Sequence, residues 1–209
     1  MCSSDLLRQL EHLGVSSLGS DDQPVPWKSL HFLSDCRRLT SIDLEGTVLY
    51  RVELRDLPVL NHLTLGHSRL KEIAICNLPQ LKRLDLPASS QSGDSFELKK
   101  VEIQGLSNLR ILIVCGMNES ASNELARGLR DSKNLMSLKL VRSVFTDRLA
   151  DVIGQLHQLD SLDISDSPMT TRQRESILKA ERLRKLKCRG DRLELEDWQA
   201  LGQSHQIGR

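Results

Sequence analysis

Aliphatic residues recur along the chain in a short alternating motif. Writing L for an aliphatic residue (or the cysteine of the last copy), the pattern LxxLxL begins at residues 39, 60, 81, 109, 135, 159 and 183, with a weaker copy at residue 10. Alternate side chains of an extended strand point to opposite faces, so each LxL predicts a short strand with its aliphatic residues facing inward. Because no single copy can bury its own apolar face, the copies are expected to stack as parallel strands.

A second strand-like segment lies inside each copy of the first half. These segments are Leu49-Val52-Leu54, Leu70-Ile73-Ile75 and Leu98-Val101-Ile103, and each is followed by a turn, at Asp56, Asn77 and Gly105 respectively. They predict a second row of strands on the opposite side of the stack. Residues 87–94 of the third copy are rich in Ser, Gly and Pro and predict an exposed loop.

In the second half the corresponding segments have helical spacing. Four apolar residues follow Thr146 at the spacing of one helix face: Leu149, Val152, Ile153 and Leu156. Thr170 and Gln173 have the spacing of a capping box at the start of another helix. Further helices are expected around residues 27–36 and 193–201.

This arrangement resembles the leucine-rich-repeat family, whose signature is LxxLxLxxNxL, and in particular its irregular bacterial arrays. The resemblance spans residues 10–198 and implies an α/β solenoid: a curved parallel sheet, short strands on the convex side of the first half, and helices in the C-terminal half. In the family, the asparagine at the ninth position bonds the turns of neighbouring repeats. This chain has other residues there: Thr47, Ser68, Ser89, Met117, Ser143, Ser167 and Asp191. A hydroxyl can form some of those bonds and a methionine cannot, so an irregular ladder is expected near Met117.

We expect one solenoid domain over residues 1–209, with about eight repeats. Residues 1–38 are predicted to form an irregular first repeat and cap, 39–108 strand–strand repeats, 109–190 strand–helix repeats, and 191–209 a C-terminal cap. Caps are expected because the end repeats of a solenoid otherwise expose their core to water.

Composition narrows the class of partner and the compartment. The formal charge is only +1, which argues against binding to a nucleic-acid backbone. The sequence shows neither a signal peptide nor an apolar run long enough for a membrane span, and its five cysteines lack CxxC spacing. These features predict a cytoplasmic protein with reduced thiols and no membrane association. One glycosylation triplet, at Asn118, favours secretion only weakly, because such triplets are common by chance.

The sequence contains none of the motifs GxxxxGK[ST], GxGxxG, GxSxG and HExxH. The six histidines are scattered, and His62 and His67 have no cysteine or further histidine at metal-ligand spacing. We therefore predict no catalytic residue, metal site, cofactor or small-molecule substrate, and the chain is not expected to be an enzyme.

In horseshoe-shaped members of the family, the concave sheet face is the usual binding surface. The alternation places Ile111, Ile113 and Val141 on that face together with Cys115, and Lys139 is the charge beside them. Exposed apolar side chains with a polar rim indicate an interaction site. The alternatives are that the neighbouring insertion covers this strand, or that it is an ordinary exposed β-branched strand.

Charges on the same face are acidic at its start and basic at its end. We predict that five of them set a partner's orientation and association rate: Asp43, Asp85, Asp163, Lys185 and Lys187. The basic end fits an acidic partner, or else it is a solvated end strand whose charges discourage edge pairing. No aromatics interleave these charges for base stacking, which argues against a nucleic-acid partner.

The sequence therefore predicts a non-catalytic scaffold that binds a partner protein through its concave sheet face. One alternative is a recognition or regulatory subunit, or a fragment, of a larger receptor, ligase or enzyme complex. A second alternative is a surface adhesion or structural protein.

Overall fold

Eight short parallel strands form one continuous sheet in a computed structural model of the chain. The structure describes residues 8–14, 33, 36–44, 51–65, 70–86 and 98–188. In spatial order the strands are β1 (His12–Gly14), β2 (Ser41–Asp43), β4 (His62–Thr64), β6 (Arg83–Asp85), β8 (Ile111–Cys115), β9 (Ser137–Val141), β10 (Ser161–Asp163) and β11 (Lys185–Lys187). Each is the strand predicted from one copy of the motif.

The register of the sheet aligns equivalent motif positions in columns. One aliphatic column runs through all eight strands: Leu13, Ile42, Leu63, Leu84, Leu112, Leu138, Leu162 and Leu186. Its six inner members are at most 1% exposed, whereas Leu13 and Leu186, on the edge strands, are partly buried. Stacking therefore buries the apolar face that one repeat alone would leave in water.

Behind this sheet lies a second layer, first of strands and then of helices. The strands β3 (Arg51–Arg55), β5 (Glu72–Cys76) and β7 (Lys100–Gln104) form a parallel three-stranded sheet. The layer continues with α1 (Glu119–Leu129) against β7, α2 (Asp147–Gly154) against α1, and α3 (Thr171–Ile177) against α2. The change from strands to helices agrees with the sequence prediction. The loop expected at 87–94, the C-terminal cap and most of the helix expected at 27–36 lie outside the described residues.

The helices begin at side chains that bond their first turn. Thr146 accepts a hydrogen bond from the Leu149 N–H, and Thr170 forms the predicted capping box with Gln173. The cap of α1 was not predicted from the sequence: Asn118 accepts a bond from the Ala121 N–H at 2.9 Å. The side chain of the glycosylation triplet thus has a structural role as a helix cap.

Turns at equivalent places adopt the same left-handed backbone. After β3, β5 and β7, this conformation is found at Asp56, Asn77 and Gly105, with φ of 58°, 58° and 67°. These are the residue types that tolerate positive φ best. The turns also bond one another, since the Asn77 side-chain amide donates to the Asp56 carboxylate at 3.0 Å. The positive-φ requirement thus explains the residue type after each strand of the second row.

Serine hydroxyls bond neighbouring turns in the second half, at the position where the leucine-rich-repeat signature has asparagine. Ser143 Oγ accepts a bond from the Met117 N–H at 3.3 Å, and Ser167 Oγ accepts one from the Ser143 N–H at 3.0 Å. The Ser167 hydroxyl also donates to the Leu140 carbonyl at 2.9 Å. At Met117 the ladder depends on the backbone alone, because its N–H bonds Ser143 while its side chain is 1% exposed in the core and offers no hydroxyl to the preceding repeat. Met117 also bridges to Leu98 of the preceding repeat.

We expect Ser143→Ala to lower the free energy of unfolding by about 1–3 kcal/mol, because it leaves the buried Met117 N–H without a partner. Urea denaturation followed by circular dichroism measures the change. The control is Ser120→Ala at an exposed position of α1, where a change within about 0.5 kcal/mol is expected. Equal stability of the two variants would mean that the serine ladder does not support the fold.

Candidate functional site

Two isoleucines lie side by side along the middle of the eight-stranded sheet, on the surface that points away from the core. Ile111 and Ile113 are both half-buried, while the alternate residues Leu112 and Val114 are fully buried. We call the outward surface formed by the third, fifth and seventh motif positions the sheet face. Both isoleucines lie on it, as the alternation predicted.

Val141, on the next strand, extends this apolar group. It is half-buried and lies opposite Cys115 in the register of β8 and β9. Cys115 was expected to be exposed with the others, but it is only 6% exposed. Burial raises the pKa of its thiol, which stays protonated and unreactive at neutral pH. The apolar centre therefore consists of Ile111, Ile113 and Val141.

On the N-terminal side, the apolar centre borders an ion pair within β6. Arg83 lies beside Ile111 in register, and Asp85 lies beside Ile113. Both Nε and Nη2 of Arg83 donate to Asp85 Oδ2, at 3.0 and 2.7 Å. The other carboxylate oxygen, Oδ1, is buried without a hydrogen-bond partner among the described residues. Asp43, two strands away on β2, is exposed.

On the C-terminal side, Asp163 of β10 is held by neighbours. Its Oδ1 accepts bonds from the Ser165 hydroxyl at 2.7 Å and the Ser165 N–H at 3.1 Å, and Lys187 Nζ lies 3.3 Å from Oδ2. Burial opposes ionisation of this carboxyl, but the bonds from Ser165 and Lys187 outweigh it and lower the pKa of Asp163. Asp163 is therefore ionised at neutral pH and forms an ion pair with Lys187.

Two predicted cations remain without such partners. Lys139 lies between Ile113 and Asp163 in register, and Lys185 lies on the last strand. Within the described ranges, no carboxylate oxygen is within ion-pair distance of either ammonium group. The C-terminal part of the sheet face therefore carries positive charge that is not neutralised locally.

The outward surface of the three-stranded sheet is different in character. Arg55 pairs with Glu53 at 2.8 Å and with Glu102 at 3.6 Å, and Arg51 pairs with Glu53 at 3.6 Å and Glu72 at 3.7 Å. Its side chains thus neutralise one another across strands. The apolar centre lies on the opposite side of the molecule from this charge lattice.

One exposed apolar side chain near the site was not predicted from the sequence. Met136, at the second motif position directly before β9, is 48% exposed. Only the third, fifth and seventh motif positions were predicted to face outward, because the alternation assigns the second position to the interior. The chain has not yet entered the strand at Met136, so the alternation does not apply there.

Two cavities lie away from the sheet face. One of about 490 Å³ lies between β7 and α1, and one of about 720 Å³ is lined by the ends of α1 and α2 and the turns that follow them. Over the described ranges, no three His, Cys, Asp or Glu side chains are grouped to hold a metal ion. Among the described helices, none has the length and apolar character needed to cross a membrane.

Comparison with known proteins supports the architecture. No model of a protein family matches the chain, and no curated protein matches its sequence. Among solved structures, an internalin C2 from Listeria monocytogenes aligns at a TM-score of 0.61 with 15% identity, over 96% of this chain and 80% of that one. An internalin F from the same organism aligns over 83% of this chain and 75% of that one, with 14% identity, but its TM-score of 0.26 is too low to indicate a common fold. From its repeats, its register and this likeness, the chain has the fold of a leucine-rich-repeat solenoid.

Proposed function

We propose that the chain is a non-catalytic scaffold that binds a partner protein through its sheet face. The observation that carries the proposal is the apolar centre. Three aliphatic side chains at outward positions of two adjacent central strands are only half-buried, although the core does not require aliphatic residues at these positions. Removing such a group from water on association is favourable, and apolar side chains at the centre of an interface commonly contribute most of the binding energy.

The contrast between the two sides of the molecule supports the choice of face. A partner docking on the three-stranded sheet would have to desolvate a lattice of ion pairs, which costs free energy. A partner on the sheet face covers apolar carbon first and meets charges only at the rim. This is the usual division between the core and the rim of an interface.

The charged residues of the face are proposed to orient the partner. Asp43 lies on the N-terminal side of the apolar centre and Lys185 on the C-terminal side, so the face has opposite signs at its two ends. Asp85, Asp163 and Lys187 lie between or beside them and already form ion pairs within the sheet. We therefore assign orientation mainly to Lys139 and Lys185, with a smaller contribution from the three paired residues. Asp43 supplies the negative charge at the opposite end of the face.

The proposed setting is a reducing cytoplasm. Cys76 and Cys115 are buried free thiols, and burial raises the pKa of each. Such protonated thiols oxidise slowly and are compatible with a reduced protein.

The test is affinity capture from the native lysate under reducing conditions, comparing the wild type with an Ile111→Asp, Ile113→Asp double variant. We expect a protein to be captured by the wild type and its binding to weaken at least tenfold in the variant, because two carboxylates would be desolvated at the centre of the interface. Circular dichroism first establishes that the variant folds. If the aspartate variant does not fold, an Ile111→Thr, Ile113→Thr variant, which keeps the β-branched shape, is used in its place.

The matched control is Val59→Asp, which places the same carboxylate at a 39% exposed apolar position in a turn outside the sheet face. This variant should capture the partner as the wild type does. Loss of capture in the control, or retention of capture by the folded isoleucine variants, would place the binding site elsewhere.

A further inference from the structure

We infer that the partner presents an acidic segment that carries an apolar anchor, with the anchor on the apolar centre and its carboxylates over β9 to β11. This inference rests on the proposed function and adds the chemistry and the direction of the occupant. It comes from which charges of the sheet face the fold itself neutralises and which it does not.

The two flanks of the apolar centre differ in charge. Across β9, β10 and β11, the third and fifth motif positions hold Lys139, Lys185 and Lys187 against Asp163, so three cations and one anion leave a formal excess of two positive charges. On the other flank, Arg83 and Asp85 form a closed ion pair directly beside the isoleucines. The uncompensated charge next to the apolar centre is therefore positive and lies on its C-terminal side.

Lys139 is the lysine that lies next to the apolar centre in register. It lies in register next to Ile113 on one side and Asp163 on the other, but Asp163 binds Lys187 and Ser165. Lys139 thus borders the apolar centre, and its ammonium group has no ion pair in the described part of the chain. Lys139 is half-buried as a residue, which restricts its side chain and reduces the entropy that binding would cost. A carboxylate placed there meets a cation in a partly desolvated position, where charge pairs are stronger than on an open surface.

The spacing of the strands predicts a spacing within the partner. Neighbouring strands lie about 4.8 Å apart, so Lys139 is one strand from Ile113, and Lys185 on β11 is three strands, or roughly 14 Å, from Ile111. An extended segment crossing the strands advances about 3.3 Å per residue. Its first carboxylate should therefore lie roughly one or two residues from the apolar anchor and another roughly four residues from it, in either chain direction.

The experiment selects binders from a displayed library of random dodecapeptides on the wild type and on Lys139→Glu. We expect wild-type binders to share an aromatic or aliphatic residue followed or preceded by Asp or Glu at these distances. Lys139→Glu should shift the selected charge to Lys or Arg. A synthetic acidic binder should lose about tenfold or more in affinity on Lys139→Glu and less on Lys139→Gln, measured by fluorescence anisotropy.

Lys133→Glu is the matched control, because Lys133 is an exposed lysine in the turn after α1 and away from the sheet face. It should leave the affinity unchanged within about twofold. Absence of enriched peptides, enrichment without an acidic bias, or equal losses for Lys139→Glu and Lys133→Glu would overturn the inference. Tight binding of a single-stranded oligonucleotide that displaces the selected peptides would also overturn it and indicate a nucleic-acid partner.

The isoleucine variants separate this inference from the proposed function. If selected peptides lose affinity on the Ile111→Thr, Ile113→Thr change but show no charge preference, the face binds and only the acidic partner is wrong. If they bind those variants as tightly as the wild type, the proposed binding site itself is wrong.

Discussion

Gly128→Ala is expected to lower the free energy of unfolding by about 3 kcal/mol or more. A β carbon added at Gly128 would lie 2.1 Å from the Ile103 carbonyl oxygen, well inside van der Waals contact. The β carbon is held rigidly by the backbone of α1 and the oxygen belongs to the backbone of β7, so no side-chain rotation relieves the contact. The helix would have to move away from the strand.

Helix propensity predicts the opposite sign. Replacing a glycine inside a helix by alanine is usually favourable by about 1 kcal/mol. At Gly128 the overlap is with a strand that is itself bonded to β5, and overpacking of this kind typically costs about 1–3 kcal/mol and sometimes more. The clash should therefore prevail. The sign of the measured change distinguishes the two effects directly.

The position of α1 explains why the close approach matters. Strand β7 is the last of its sheet, and edge strands present unpaired backbone groups that invite association. The Glu124 carboxylate of α1 accepts a bond from the Val101 N–H of this edge at 3.0 Å. Gly128, one helical turn later, lets the helix backbone approach the backbone carbonyl of Ile103 on the same edge. Helix α1 thus covers the edge that the change from strands to helices would otherwise leave open.

Urea denaturation gives the stability change of Gly128→Ala, and hydrogen exchange at the Val101 amide reports whether α1 has moved from the edge. Exchange there should accelerate more than at Leu138 in the sheet core. Arg127→Ala, at the neighbouring exposed position, is the control and should change stability by less than about 0.5 kcal/mol. A neutral or stabilising Gly128→Ala would mean that α1 does not contact β7 this closely.

The repeats made the architecture predictable from the sequence. The inward aliphatic residues of each motif copy, such as Leu112 and Leu138, carry the strand signal because burial on one face imposes a period of two. The helices of the second half were predictable from their spacing of three and four and from the caps Thr146 and Thr170. These features are local, and the stacking of neighbours reinforces each of them.

Features that depend on contacts between neighbouring repeats were harder to predict from the sequence. The sequence shows a glycine at position 128, but not that it lies against a carbonyl in a repeat 25 residues earlier. Likewise Lys187 pairs with Asp163 across 24 residues, while Lys139, equally near in register, does not. Rotamers and small shifts between strands decide such partners, and no local pattern encodes them. The outward position of Ile111 and Ile113 was predictable, whereas the burial of Cys115 was not.

Leu112→Ala is expected to lower the free energy of unfolding by about 2–5 kcal/mol, whereas Ile113→Thr should cost about 1 kcal/mol or less. The two residues are neighbours in β8, but Leu112 is 0% exposed in the core and Ile113 is half-buried on the sheet face. Truncating Leu112 removes buried methyl groups and leaves a cavity between repeats that cannot collapse, because strands on both sides hold it open. Threonine at 113 keeps the β-branched shape that suits a strand and exchanges one ethyl group for a hydroxyl at a position that water already reaches.

Urea denaturation of both variants, with partner affinity measured on each, tests the map of the sheet face and its function together. Ile113→Thr should weaken partner binding while leaving the fold intact, because its apolar carbon contributes to an interface and not to the core. Leu112→Ala should destabilise the fold. Measured below its unfolding transition, it should bind the partner with an affinity close to that of the wild type. If Ile113→Thr destabilises the fold as much as Leu112→Ala does, Ile113 belongs to the core. The apolar centre would then be part of the packing between repeats, and the binding surface would have to be sought in the charged rim around it.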